Sequence, residues 1–194
     1  MSRPVVALFA GSSTPKDPAI MAAAEKLGTT LGQLGFDLIY GAGTQGVMGA
    51  VAKAAAAAGS HVTAVVLEKY AHEEQIAGAT LIQVKTEQER FALLSSHGNP
   101  VASLVMPGGP GALREALQGL EKAIYDNGAP VVLIEVGPYL DGIRQYFSLA
   151  VAGGLIREDR AGKLLSMPPD GDLKALLSPQ QNLAPRPAPP QQKF

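Results

Sequence analysis

The sequence has no cysteine, no tryptophan and only three histidines in 194 residues. Without cysteine there is no disulfide scaffold, cysteine nucleophile, zinc–thiolate site or iron–sulfur cluster. His61, His72 and His97 show no metal-ligand spacing such as H-E-x-x-H, so a metalloenzyme is disfavoured; an oxygen-ligated magnesium site stays open. An excess of either charge is missing too. Sixteen basic and 17 acidic residues give a formal net charge of −1, which argues against a protein built to grip nucleic acid or an acidic membrane. No apolar run approaches the roughly 20 residues of a membrane helix. The short apolar start, residues 5–10, stops at Gly11-Ser12-Ser13 without a cleavage site; it reads as a buried strand and not as a signal peptide. These absences predict a soluble, cytoplasmic protein.

What is present is globular: 46% of residues are hydrophobic and 17% charged, enough for one well-buried domain. Short apolar runs alternate with helical stretches. Strands are expected at 5–10, 36–40, 61–67, 80–84, 101–106, 131–135 and 163–167. Helices are expected at 18–34, 46–58, 86–95, 112–125, 139–152 and 170–177. Asp17 and Pro18 suit an N-cap and first helical position, and Thr86 and Glu89 have capping-box spacing. Strands apolar throughout and separated by helices predict a three-layer α/β/α fold, a Rossmann-like doubly wound parallel sheet. Its ligand belongs at the carboxyl ends of the strands, near a topological switch point. This domain spans 1–177. Residues 178–194 are rich in proline and glutamine and are expected to form a disordered tail.

Three glycine-rich turns each follow an expected strand: Gly11-Ser12-Ser13, Gly41-Ala42-Gly43-Thr44-Gln45-Gly46 and Pro107-Gly108-Gly109-Pro110-Gly111. Glycine lets backbone approach a ligand, and free amides at a helix start favour an anion. One such turn is as well explained as a plain strand–helix connection. Three in one sheet favour a phosphate-containing ligand. The second turn fits G-x-G-x-x-G, but it follows the second strand. Where an acidic ribose-binding residue would stand lie Val65-Val66-Leu67, with Glu68 just beyond, so a dehydrogenase is disfavoured.

The run Pro107-Gly108-Gly109-Pro110-Gly111-Ala112-Leu113-Arg114-Glu115 resembles the P-G-G-x-G-T-x-x-E signature of the Lonely Guy family. These are cytokinin-activating nucleoside monophosphate phosphoribohydrolases, long misnamed lysine decarboxylases. Gly11-Ser12-Ser13 is similar to the family's first-strand G-S-S. Tyr40-Gly41-Ala42-Gly43 through Gly46-Val47-Met48-Gly49 is similar to its Y-G-G-G-x-x-G-L-M-G, and Glu89-Arg90 stands at its arginine–lysine pair. The resemblance covers about residues 5–177. It implies a Rossmann-like homodimer with its site near the dimer interface, acting on a nucleoside monophosphate without metal or other cofactor. It also implies catalytic roles for Arg90 and Glu115. The substrate and its phosphate would lie against Gly11, Ser12, Ser13, Gly41, Gly43, Gly46, Met48, Gly108, Gly109, Gly111 and Ala112. Three positions depart from the pattern: Ala112 replaces a threonine, Phe91 a lysine, and Ala42 a glycine.

In physical terms, cleaving an N-glycosidic bond builds positive charge on ribose, which a carboxylate beside C1′ stabilises. Glu115, expected on the first turn of its helix, fits that role; the plain alternative is a glutamate favoured by the helix dipole. Arg90 would hold substrate through its planar fork, or be an ordinary solvated helix residue. Met48 reads more readily as core than as a base contact, and His97 as a loop residue more readily than as a group acting on the leaving base. Nothing around Lys53 or Lys85 suggests pyridoxal phosphate. The apolar stripe Ala116, Leu117, Leu120, Ala123 and Ile124 suits either a dimer interface or core. Two functions follow: hydrolysis of a nucleoside 5′-monophosphate to base and ribose 5-phosphate, or carriage of a nucleotide or a molybdopterin-type cofactor without cleavage. The retained Arg90 and Glu115 favour the first; Ala112 and Phe91 favour the second.

Overall fold

A computed structural model describes residues 3–177; the expected tail at 178–194 lies outside them. Seven strands form one sheet: β1 (Val5–Phe9), β2 (Asp37–Tyr40), β3 (Val62–Leu67), β4 (Thr80–Val84), β5 (Ala102–Val105), β6 (Val131–Ile134) and β7 (Leu164–Met167). Every pairing is parallel and the order is β4-β3-β2-β1-β5-β6-β7. The chain winds outward from β1 to β4, then crosses back to β5 on β1's other side. The topological switch therefore falls between β1 and β5, the place where open α/β sheets bind ligands.

Among the described residues six helices cover the sheet: α1 (Pro18–Gln33), α2 (Gly46–Ala57), α3 (Glu87–Ser96), α4 (Pro110–Tyr125), α5 (Asp141–Ala152) and α6 (Leu173–Leu177). Alternate strand residues serve opposite faces. Val6 and Leu8 of β1 pack with Leu27 of α1, Val51 of α2 and Leu173 of α6. Ala7 and Phe9 pack with Leu94 of α3, Leu120 of α4 and Phe147 of α5. The three layers expected from the sequence are thus present.

Local signals set the helix ends. The Asp17 side chain accepts from the Ala19 amide at 2.9 Å. Thr86 and Glu89 close a full capping box at the start of α3. Three expectations shift, one of them α6, which begins at Leu173, three residues late. Helix α4 begins at Pro110, two residues early, because proline suits the first helical position. Glu115 is therefore the sixth helical residue, on the second turn, where the dipole accounts for little. Helix α5 begins at Asp141, two residues late. Short 3-10 turns at Glu68–Tyr70 and Glu158–Lys163 follow no signal read from the sequence.

The apolar stripe of α4 is core of this chain. Ala116, Leu120 and Ile124 pack on the β1 face around Phe9 and Val131, and Ala123 is fully buried. Leu117 alone of the five faces outward, 48% exposed. For the other four the periodicity records packing on the sheet. Among the described residues no helix is long and apolar enough to cross a membrane.

Candidate active site

The three glycine turns meet at the carboxyl ends of β1, β2 and β5. Gly11 joins them: its amide donates to the Pro107 carbonyl at 3.2 Å, and its carbonyl accepts from the Met48 amide at 3.0 Å. A Cβ on Gly46 would collide with the backbone of Ser12, so only glycine lets the first and second turns approach so closely. Gly11 is buried, whereas Ser12 and Ser13 are exposed. Met48 is half-buried and packs against the core on the α1–α2 face, which is the reading its sequence favoured.

The second turn holds consecutive left-handed residues, Ala42 at φ 70° and Gly43 at φ 87°. For alanine this conformation costs about 1–2 kcal/mol, at the position where the family pattern has glycine. The fully buried Tyr40 side chain stabilises the turn by donating its phenol O–H to the Gly43 carbonyl at 2.9 Å. Burial pushes that phenol up to about 12, so it remains a donor. From the connection between β3 and β4, Gln75 Oε1 accepts from the Gly43 amide at 3.3 Å. Glu74 Oε2 accepts from the Thr44 hydroxyl at 3.2 Å. The second turn's polar groups are thus largely satisfied within the chain.

The third turn is more open. Gly108, Gly109 and Gly111 are exposed, and Gly109 precedes α4 without a side-chain cap. The amides of Gly111 and Ala112, second and third residues of α4, have no acceptor within the helix. Ala112 is buried, with its Cβ close over Gly108. This end of α4 presents donors and a positive dipole end to an anion.

Arg90 and Glu115 lie beside these turns and touch. Arg90 Nη1 donates to Glu115 Oε1 at 2.7 Å. Its Nε donates to the Val65 carbonyl at 3.2 Å and its Nη2 to the Gly41 carbonyl at 2.9 Å. A Cβ on Gly41 would strike the guanidinium. The planar fork is therefore turned on β3, the second turn and Glu115, and not outward as expected for a substrate clamp. With Nε, Nη1 and Nη2 all bonded and the side chain 15% exposed, it is no ordinary solvated residue.

Glu115 sits on the inner face of α4, only 8% exposed. Burial raises its pKa above the ordinary carboxylate value of 4.5; the Arg90 charge and hydrogen bond oppose that rise, with a smaller contribution from Arg114. Glu87, at the start of α3, lies 3.5 Å from Arg90 Nη1 and 3.3 Å from Arg114 Nη2. Four side chains thus form one chain, Arg114–Glu87–Arg90–Glu115. Sequence reading missed Glu87 and Arg114. The three-residue spacing of Glu87 and Arg90 was visible as a helical ion pair, but the 27-residue separation from Arg114 left no local signal.

Two other residues lie outside this cluster. Phe91, at the lysine position, turns from the site to stack on Phe9 with ring centroids 6.1 Å apart, packed against the core on the α4 face. His97 caps the far end of α3. The adjacent Gly98 packs against Val5, at the start of β1 and so at the opposite end of the strands from the turns. Among the described residues no three His, Cys, Asp or Glu side chains converge as a metal-binding group.

Ala42→Gly should raise stability by about 1 kcal/mol, the left-handed strain it removes being partly offset by loss of a buried methyl. A raised denaturation midpoint checks this; a lowered one would show that the methyl's packing dominates. A second expectation concerns pH. A raised folded-state carboxyl pKa contributes stability fully below the unfolded value, lost as pH rises through the folded value. Glu115→Gln removes that loss. The melting temperature of Glu115→Gln relative to wild type should therefore climb from pH 4 toward neutrality. A difference that falls over the same range would show that Arg90's attraction outweighs burial.

The family described as possible lysine decarboxylase matches residues 48–172. A cytokinin riboside 5′-monophosphate phosphoribohydrolase of Arabidopsis thaliana is 31% identical over 187 residues, covering 93% of this chain and 84% of its own. Another, of Oryza sativa subsp. japonica, is 30% identical over 167 residues, covering 84% and 68%. Among solved structures, the molybdenum cofactor binding protein of Rippkaea orientalis aligns with a TM-score of 0.67 at 18% identity, covering 88% of this chain and 93% of that one. A Moco carrier protein of Chlamydomonas reinhardtii aligns with a TM-score of 0.66 at 18% identity, covering 93% and 98%. At that identity the structural likeness establishes the fold. The matches along the sequence establish more: the chain belongs to the Lonely Guy family of phosphoribohydrolases.

Proposed function

We propose that the protein hydrolyses the N-glycosidic bond of a nucleoside 5′-monophosphate, of the AMP or cytokinin riboside monophosphate type, giving free base and ribose 5-phosphate. The observation that carries this reading is the buried Glu115 carboxylate, held by Arg90 beside an exposed, uncapped helix start. A buried ion pair is a poor device for stability alone, and this one lies where a doubly wound sheet binds ligands. The names of the relatives supply the reaction class.

In this reaction the C1′–N bond breaks with its electron pair leaving on the base, and positive charge builds on the ribose ring. Glu115 stabilises that charge in a low-dielectric setting. Water adds its hydroxyl to C1′, and its remaining proton ends on the base nitrogen. The exposed third turn takes the phosphate through the Gly111 and Ala112 amides, with Gly108 and Gly109 leaving room for it. The first two turns, Gly11-Ser12-Ser13 and residues 41–46, line the rest of the substrate.

Ala112 favours a second reading, because the family's phosphate-binding hydroxyl is a methyl here: carriage of a nucleotide or phosphorylated cofactor without cleavage. Released base from a panel of nucleoside 5′-monophosphates separates the two. The hydrolase reading expects release from at least one, and Glu115→Gln should lower it by about 10²-fold or more while AMP binding survives. Wild-type turnover by Glu115→Gln would remove Glu115 from the chemistry. Tight binding without release across the whole panel would favour the carrier.

The same reading includes a homodimer. Leu113 and Leu117 of α4 and Leu149 of α5 are exposed apolar side chains that a partner would cover. A dimeric mass in solution at micromolar concentration is expected; a monomeric mass would exclude it.

A further inference from the structure

Under the proposed function a phosphate calls for a cation, and neither position of the family's arginine–lysine pair supplies a free one. Phe91 is stacked on Phe9, and Arg90 is committed to Val65, Gly41 and Glu115. A third cation stands nearby. We infer that Arg114 is the side-chain ligand of the substrate's 5′-phosphate, parked on Glu87 until the phosphate replaces it. This rests on the hydrolase reading and adds to it a specificity-determining residue.

Arg114 immediately precedes Glu115 and is the fifth residue of α4. Helical side chains lean toward the N-terminus, onto residues three and four positions earlier. For Arg114 those are Gly111 and Pro110. Gly111 has no side chain to obstruct the path, and a Cβ built on Gly111 or Gly109 would meet nothing within 4 Å. Gly111 lies about 4–5 Å back along the helix axis, within the reach of an arginine. The guanidinium can thus swing over the open helix start, whose amides would bind the same anion.

Its present partner is suited to exchange. Arg114 and Glu87 are both about half exposed, with 54% and 46% of their side-chain surfaces accessible, and 3.3 Å apart; such a pair is weak. A phosphate offers the guanidinium a stronger, bidentate partner. Glu87 would not be stranded, because Arg90 Nη1 already lies 3.5 Å away. Phosphate binding would transfer Glu87 wholly to Arg90, the residue that holds Glu115. One carboxylate between two arginines thereby links recognition of the phosphate to the position of the group that acts at C1′.

Calorimetric titration of the full chain with AMP and with adenosine tests this on wild type, Arg114→Gln and Arg114→Lys. Arg114→Gln should weaken AMP by about tenfold or more and leave adenosine unchanged, since a hydrogen bond to a charged partner is lost. Arg114→Lys should recover part of the loss, as a point charge without the fork; it also carries the test should Arg114→Gln fail to fold. AMP affinity unchanged in both variants, or equal losses for AMP and adenosine, would overturn the assignment while leaving the hydrolase reading intact. A wild type that binds AMP no better than adenosine would overturn both. An Arg114-dependent preference for AMP in a protein that releases no base would keep Arg114 and remove the hydrolase reading.

Discussion

The ion pair between Arg90 and Glu115 is the constraint on which the site depends. Ions taken from water lose several kcal/mol of hydration each, and mutual attraction recovers this only when the remaining donors and acceptors are also satisfied. Here the guanidinium has further acceptors, the Val65 and Gly41 carbonyls. Those bonds tie α3 to β3 and to the second glycine turn, while Glu115 ties it to α4. Arg90 lies on the crossover from the β4 side of the sheet to the β5 side. The pair therefore spans the topological switch and fixes the two halves of the site against each other.

The three glycine turns have similar compositions and different physical roles. The first is a hinge pin, bonded through Gly11 to both neighbours. The second is strained at Ala42 and held from both sides, by Tyr40 beneath and by Glu74 and Gln75 from a neighbouring loop. Only the third is exposed from Gly108 through Gly111. Glycine content alone equates them; the hydrogen bonds separate them, and under the proposed function it is the start of α4 that takes the phosphate.

Most of the fold was legible because its causes are local. Apolar runs fixed the strands, and Asp17 and Thr86 fixed helix starts through their own side chains. The errors have physical reasons. Pro110 reads as part of a turn, though its fixed φ also suits a first helical position, and the earlier start moves Glu115 two positions further along the helix. The α4 stripe was open to two readings because a helix packs on its own sheet with the same periodicity it would use against a partner. The roles of Arg90 and Phe91 were the least legible. Neighbours in sequence on one helix face different ways, and only tertiary packing shows that one points to Glu115 and the other to Phe9.

The position of Phe91 bears on how the site balances charge. A lysine there would have to leave the apolar contact with Phe9 or bring an ammonium group into it, at a cost of several kcal/mol unless paired. Charge for a phosphate has to come from elsewhere in the site. The four linked side chains, Arg114, Glu87, Arg90 and Glu115, carry no net charge when all are ionised. A monophosphate adds nearly two negative charges and, left uncompensated, would push the already raised Glu115 pKa further up, toward the neutral acid that cannot stabilise a cationic ribose. A cation that moves from Glu87 to the phosphate compensates that charge at its source. It also leaves Glu115 with Arg90, whose charge and hydrogen bond oppose that rise, so that binding the substrate need not disable the group proposed to act on it.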